Sequence, residues 1–230
     1  MGAMGFLRLC LGIFAVLVVF VCSVSSTMLE AKGGDLLSGG EAVELTAQQL
    51  LMRLPEDRYL GNEDAPVVMV EYASFSCAHC ADFITKVFPR IKKEYIDTGR
   101  LLYIYRDFPL DRLSLSAAML GSCYKDNTAF FSYVRAVFGS YDTLIATYKD
   151  LGLLVNIAKI SNISDEDFKR CTTDEELMDR VVQQKFLAVN TLDVNATPSF
   201  FINGERYSGG HDFDSIAAEI DRVTALQLHR

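Results

Sequence analysis

Apolar and polar positions recur with two periods along this chain, and the change of period divides it into elements. Val67 to Ala73 is an apolar, Val-rich run broken only by Glu71, which predicts a strand covered on both faces. From Ala78 to Ile96 the residues Phe83, Ile84, Val87, Phe88, Ile91 and Tyr95 recur at helical spacing. Pro89 lies inside that pattern and predicts a kink, and Gly99 ends it. Leu101 to Tyr105 is a second buried strand, closed by Pro109. Amphipathic helices follow over Ser114 to Tyr124, Thr128 to Phe138 and Lys149 to Ile160. Ser164 with Asp167 marks a fourth start, and Thr173 with Glu176 forms a capping box opening a long helix to about Asn190. Ser199 to Ile202, the Asn203-Gly204 turn and Glu205 to Tyr207 predict a hairpin, and Asp212 begins a last helix. Upstream, Thr46 with Gln49 opens a short helix to Arg53, stopped by Pro55.

The order is strand, helix, strand, helical block, hairpin, helix. A βαβ unit joined to a terminal ββα unit makes an α/β fold with a sheet of mixed direction. The helical block, residues 111–176, is inserted between residues 58–110 and 177–230, which build the sheet domain.

The first segment follows another logic. Only Arg8 precedes the apolar stretch Leu9 to Phe20, and Ser23, Ser25 and Ser26 follow it. That pattern predicts a secretory signal, residues 1–26, cleaved near Ser26. An uncleaved membrane anchor is the other reading. Residues 27–57, with Gly33-Gly34 and Ser38-Gly39-Gly40, form a flexible tether ending in the short helix.

Composition narrows the function. The 230 residues carry 22 basic and 30 acidic side chains, a net charge of -8, with no basic cluster. Such a chain is poorly suited to nucleic acid, whose phosphates must be neutralised, and it offers no polybasic patch to lipid. Of six cysteines, Cys10 and Cys22 would leave with the signal, so Cys77, Cys80, Cys123 and Cys171 remain.

Cys77-Ala78-His79-Cys80 sits at the junction of the first predicted strand and its helix. There the unpaired N–H groups and the helix dipole favour an anion, so the Cys77 thiolate is stabilised. Cys80 returns one turn later, close enough to form a disulfide, and His79 adds a donor near both sulfurs. Stabilising the thiolate makes the disulfide an oxidant. A zinc site lacks a second close pair of ligands, and no metal or cofactor is expected. With only His79, His211 and His229 in the chain, a Ser-His-Asp hydrolase has no persuasive constellation.

Three segments in order, Glu71 to Cys80, Arg106 to Leu110 and Thr197 to Gly204, together resemble the DsbA-like thiol:disulfide oxidoreductases. The resemblance covers roughly residues 58–225. It implies a thioredoxin fold with an inserted all-helical domain, and an exported, usually periplasmic, protein. It further implies oxidation of cysteine pairs in unfolded exported proteins, and re-oxidation by a DsbB-like membrane oxidase. Carried over to this chain, Cys77 would be the nucleophile and Cys80 the buried resolving cysteine. Pro198 would be the cis-proline facing the pair. Thr197 would offer backbone groups to substrate and its hydroxyl to the thiols, and Glu71 would be a buried carboxyl exchanging a proton with Cys80. Cys123 and Cys171 are either two buried free thiols or, in an oxidising compartment, a structural disulfide such as some relatives carry.

Ala78 stands where many oxidases of the group have proline, and Thr197 before the cis-proline is shared with isomerases and reductases. A reductase or isomerase, and a non-enzymatic chaperone-like binder, therefore stay open beside the oxidase. No dimerisation segment is evident before residue 58, and a monomer is expected.

Overall fold

A computed structural model describes residues 46–149 and 151–228. The expected signal peptide and most of the tether lie outside the described residues. Among the described residues, no helix is long and apolar enough to cross a membrane.

Five strands form one mixed sheet: β1 (Arg58–Leu60), β2 (Val67–Ala73), β3 (Leu101–Asp107), β4 (Ser199–Ile202) and β5 (Glu205–Tyr207), in the order β1-β3-β2-β4-β5. β2 and β3 run parallel at the centre, and the other neighbours pair antiparallel. Central parallel strands are covered on both faces, which explains the apolar run of β2, interrupted only by Glu71. The chain turns from β4 to β5 with Asn203 at φ 47° and Gly204 at φ 85°, the backbone that a tight hairpin demands.

Helices cover both faces. On one lie the short α1 (Ala47–Leu50) and the C-terminal part of α9 (Glu175–Leu192), through Leu50, Ala188 and Leu192 against Val70, Tyr72, Leu102, Ile104 and Phe201. The other face meets α2 (Ala78–Asp82), α3 (Phe88–Ile91), α10 (Phe213–Leu228) and a helical group. That group comprises α4 (Arg112–Ser122), α5 (Asn127–Gly139), α6 (Tyr141–Ala146), α7 (Gly152–Ile160) and α8 (Asp165–Thr173).

Several details depart from the periodicity reading. The helical run from Ala78 to Ile96 is continuous, but widens into π turns at Phe83–Val87 and Lys92–Ile96. Pro89 has no N–H and its ring would crowd the preceding turn; the first widened turn accommodates it. The first helix ends at Leu50 rather than Arg53. The long helix is capped by Asp174, whose carboxylate accepts from the Leu177 N–H at 2.9 Å, one residue beyond the expected Thr173. β3 runs two residues further than expected, and β1 and α6 are additional elements.

Gly61, just after β1, has φ +107°, and a Cβ there would collide with the Leu101 carbonyl. Gly61→Ala is therefore expected to cost at least about 2 kcal/mol, read as a lowered urea midpoint. An unchanged midpoint would contradict the tight approach of this turn to β3.

Candidate active site

β2 ends at Ala73, and four residues later Cys77 caps α2 with an extended backbone, φ -95° and ψ 118°. Its Sγ accepts the Cys80 N–H at 3.4 Å, at the positive end of the helical run. The two sulfurs are unbonded, Cys77 8% exposed and Cys80 fully buried. Their acidities part widely. The Cys77 thiol is lowered to about 5, first by a hydrogen bond from the Cys80 side chain, against the opposing effect of burial. Burial above all, then the pairing with Cys77 and the nearby Glu71, pushes the Cys80 thiol far up.

The loop before β4 closes the site. The Thr197–Pro198 peptide is cis, and the Cys77 thiol donates to the Thr197 carbonyl at 3.3 Å. The Thr197 hydroxyl was expected at the thiol pair: its Oγ1 is buried, and after the Cys80 side chain the Thr197 side chain is among the groups that lower the Cys77 thiol. His79 is exposed, and no hydrogen bond joins its imidazole to either sulfur; it contributes to Cys77 through its backbone N–H. His211 is exposed, edge-on to Phe200, and lines a small hollow with His79.

Glu71 is fully buried beneath the pair. Tyr103 donates its hydroxyl to Glu71 Oε2. Burial is the main cause that raises this carboxyl to about 8, and nearby Cys77 adds to it. Tyr103 and Tyr141 were not singled out from sequence. Tyr141, at the start of α6, donates to the Ser76 carbonyl at 3.1 Å and braces the loop before Cys77. The strand pattern marks Tyr103 as core, but no signal in the sequence pairs it with Glu71.

Known proteins place this arrangement. A family model described as thioredoxin matches residues 53–222. The crystal structure of alpha-DsbA1 from Wolbachia pipientis is 40% identical, superposes with a TM-score of 0.76, and covers 80% of this chain and 98% of that one. The chain belongs to the DsbA-like thiol:disulfide oxidoreductases. A Bacillus anthracis protein named as disulfide bond formation protein D is 32% identical over 168 residues, 71% of this chain and 76% of its own. A Rickettsia felis protein named as a protein-disulfide oxidoreductase is 31% identical over 174 residues, 76% of this chain. The chain spans 62% of the length of that rickettsial relative.

Like other DsbA-like chains it has the thioredoxin sheet with a helical group on one face. Within that group Cys123 and Cys171 are joined, with Cα atoms 6.2 Å apart, tying the end of α4 to α8. No cluster of metal-ligating side chains occurs among the described residues.

The raised pKa of Glu71 has a sign that can be measured. Between its ordinary 4.5 and about 8, the unfolded chain has released a proton that the folded chain keeps. Stability conferred on the protonated form therefore drains away as pH rises through that window. Glu71→Gln should gain on the parent between pH 5 and 9, by on the order of 4 kcal/mol at the top, at about 1.4 kcal/mol per unit. Urea unfolding of the reduced proteins at both pH values reads this, and a pH-independent difference would contradict it.

Proposed function

We propose that this chain is an exported dithiol oxidase that introduces disulfides into unfolded exported proteins, as a periplasmic monomer. The observation that carries the reading is the contrast within the pair: Cys77 lowered to about 5, beside a Cys80 whose thiol is raised. A substrate thiolate attacks Cys77 of the Cys77–Cys80 disulfide, and Cys80 leaves with the electron pair and takes up a proton. A second substrate thiolate then attacks the substrate sulfur of the mixed disulfide, and Cys77 leaves as a stable thiolate. The substrate is oxidised by two electrons and the enzyme is reduced by two. A DsbB-like membrane oxidase would return the pair to the disulfide.

The groove between the active-site helix and the Thr197–Pro198 loop would take substrate as an extended strand, with Thr197 supplying backbone partners. The apolar segment Leu9 to Phe20 supports export, with residues 1–26 as the signal and residues 58–110 and 177–230 as the thioredoxin domain around the 111–176 insert.

The reduction potential in a glutathione titration tests the direction. An oxidase is expected well above about -200 mV, toward the -120 mV of strong oxidants. A potential near the -270 mV of cytosolic reductants would overturn the oxidase and favour a reductase.

A further inference from the structure

Cys80 leaves the disulfide as a thiolate inside the protein, at a sulfur with no exposed surface. A proton must reach it there. Glu71 is close enough to raise the Cys80 thiol by its charge, but Glu71 is itself sealed off, with no exposed surface. It must in turn recover a proton from somewhere.

The sheet register shows a route. Glu71 pairs with Tyr105, and Tyr105 pairs with Arg58 on the edge strand. Directly paired residues lie on one face about 5 Å apart, and Asp107, two residues beyond Tyr105, lies on that face about 7 Å further along. Three polar atoms here are buried without a hydrogen-bond partner among the described residues: Glu71 Oε1, Tyr105 Oη and Asp107 Oδ1. Buried polar atoms that lack protein partners are the usual seats of internal water. The outer end of the row is open, because Tyr105, Asp107 and Arg58 line a cleft of about 1420 Å³ on the side of β1.

We propose that Glu71, Tyr105 and Asp107, bridged by bound water, form a proton path between Cys80 and this cleft, with Asp107 as its outer station. The proposal rests on the Cys77–Cys80 pair being redox-active, and adds how its buried member is protonated.

The substrate sulfur bonds to Cys77, the Cys77–Cys80 bond breaks, and Cys80 holds the electron pair. The Glu71 carboxyl gives its proton to the Cys80 sulfur. Water relays a replacement from Asp107 to Glu71, and Asp107 recovers one from solvent in the cleft. Re-oxidation runs the same transfers backwards. The groups around the path suit this traffic. Burial brings Asp107 to about 7, opposed by the Arg58 cation on β1, and Glu71 stands at about 8. Tyr105 and, from α5, Tyr133 also feel the Asp107 charge, and Glu71 faces Tyr103, Tyr105, Cys77 and Cys80. Both carboxyls therefore exchange protons near neutral pH.

The test is the rate at which dithiothreitol reduces the disulfide of the intact protein, across pH 5 to 9, in H₂O and D₂O. Asp107→Asn should slow reduction about tenfold near pH 7 and remove the inflection near that pH, a modest share of what acid–base groups contribute. Tyr105→Phe should slow it in the same pH range, while the Cys77 thiolate titration stays unchanged in both. Asp107→Asn profiles that superpose on the parent overturn the path. In the unmutated protein, infrared difference spectra between oxidised and reduced states should show two carboxyl bands changing at pH 7. A change at Glu71 alone overturns the path with no variant needed. Absence of any exchange in the parent would instead overturn the redox assignment beneath it.

Discussion

Cys80→Ala should accumulate covalent adducts with substrate, whereas Cys77→Ser should form none and oxidise nothing. The difference follows from position. Cys77 caps the helix beside the Thr197–Pro198 loop, touches the Thr197 carbonyl at 3.3 Å and keeps some exposed surface, while Cys80 has none. Only Cys77 can meet a substrate sulfur, and in Cys80→Ala its thiolate attacks the substrate disulfide and expels one substrate thiolate. Without Cys80 there is no internal thiol to expel the substrate, so a mixed disulfide persists until an external thiol resolves it. Non-reducing gels of protein incubated with an oxidised model peptide read the adduct. A Cys77→Ser protein that still forms disulfides in a reduced substrate would remove Cys77 from the chemistry.

The same variant changes acidity. The Cys80 side chain is the largest cause lowering the Cys77 thiol, so Cys80→Ala should move its titration up from about 5 toward the ordinary value of 9. Absorbance of the thiolate against pH measures this. The sign fixes the redox consequence. A thiol lowered in the folded, reduced protein stabilises that form in full above the ordinary value of 9, and the gain shrinks as pH falls and is gone at about pH 5. Every 1.4 kcal/mol of such stabilisation raises the potential by about 30 mV, so the whole shift is worth of the order of 100 mV. An unmoved titration in Cys80→Ala would mean that the helix end alone supplies the effect.

Much of this site was legible because its parts are local. A strand buried on both faces writes itself as a nearly continuous apolar run, and β2 spans the predicted Val67 to Ala73 with Glu71 alone inside it. Asn203-Gly204 takes the positive-φ pair that only such residues adopt easily. Cys77-Ala78-His79-Cys80 encodes its own proximity through one helical turn. What escaped depends on partners distant in sequence. Tyr103 meets Glu71 only because β2 and β3 pair in one register, and three-residue β1 exists only because β3 offers it an edge. Arg106 and Asp107 lie beyond the predicted Leu101 to Tyr105, yet β3 includes them. They extend it because Asp57 receives the first, and the second is held beside Arg58 at the cleft.

Asp57→Asn should destabilise the protein by about 3–5 kcal/mol, the cost of stranding a buried cation. Arg106 is 1% exposed and Asp57 6%. The guanidinium donates to both Asp57 oxygens at 2.8 and 2.7 Å, to the Tyr72 hydroxyl at 2.9 Å, and to the Leu50 and Met52 carbonyls. Asp57 also accepts the Leu54 N–H at 2.7 Å. One side chain thus ties α1 and the segment after it to the C-terminal end of β3. Arg106→Met leaves the Asp57 carboxylate buried without its cation, so it should cost a similar amount. The double variant Asp57→Asn, Arg106→Met strands no charge, and should be more stable than the sum of the single losses by at least about 2 kcal/mol. Urea unfolding of the four proteins closes the cycle. Single losses that simply add would show that the pair does not stand or fall together, and that the backbone carbonyls alone hold Arg106 in place.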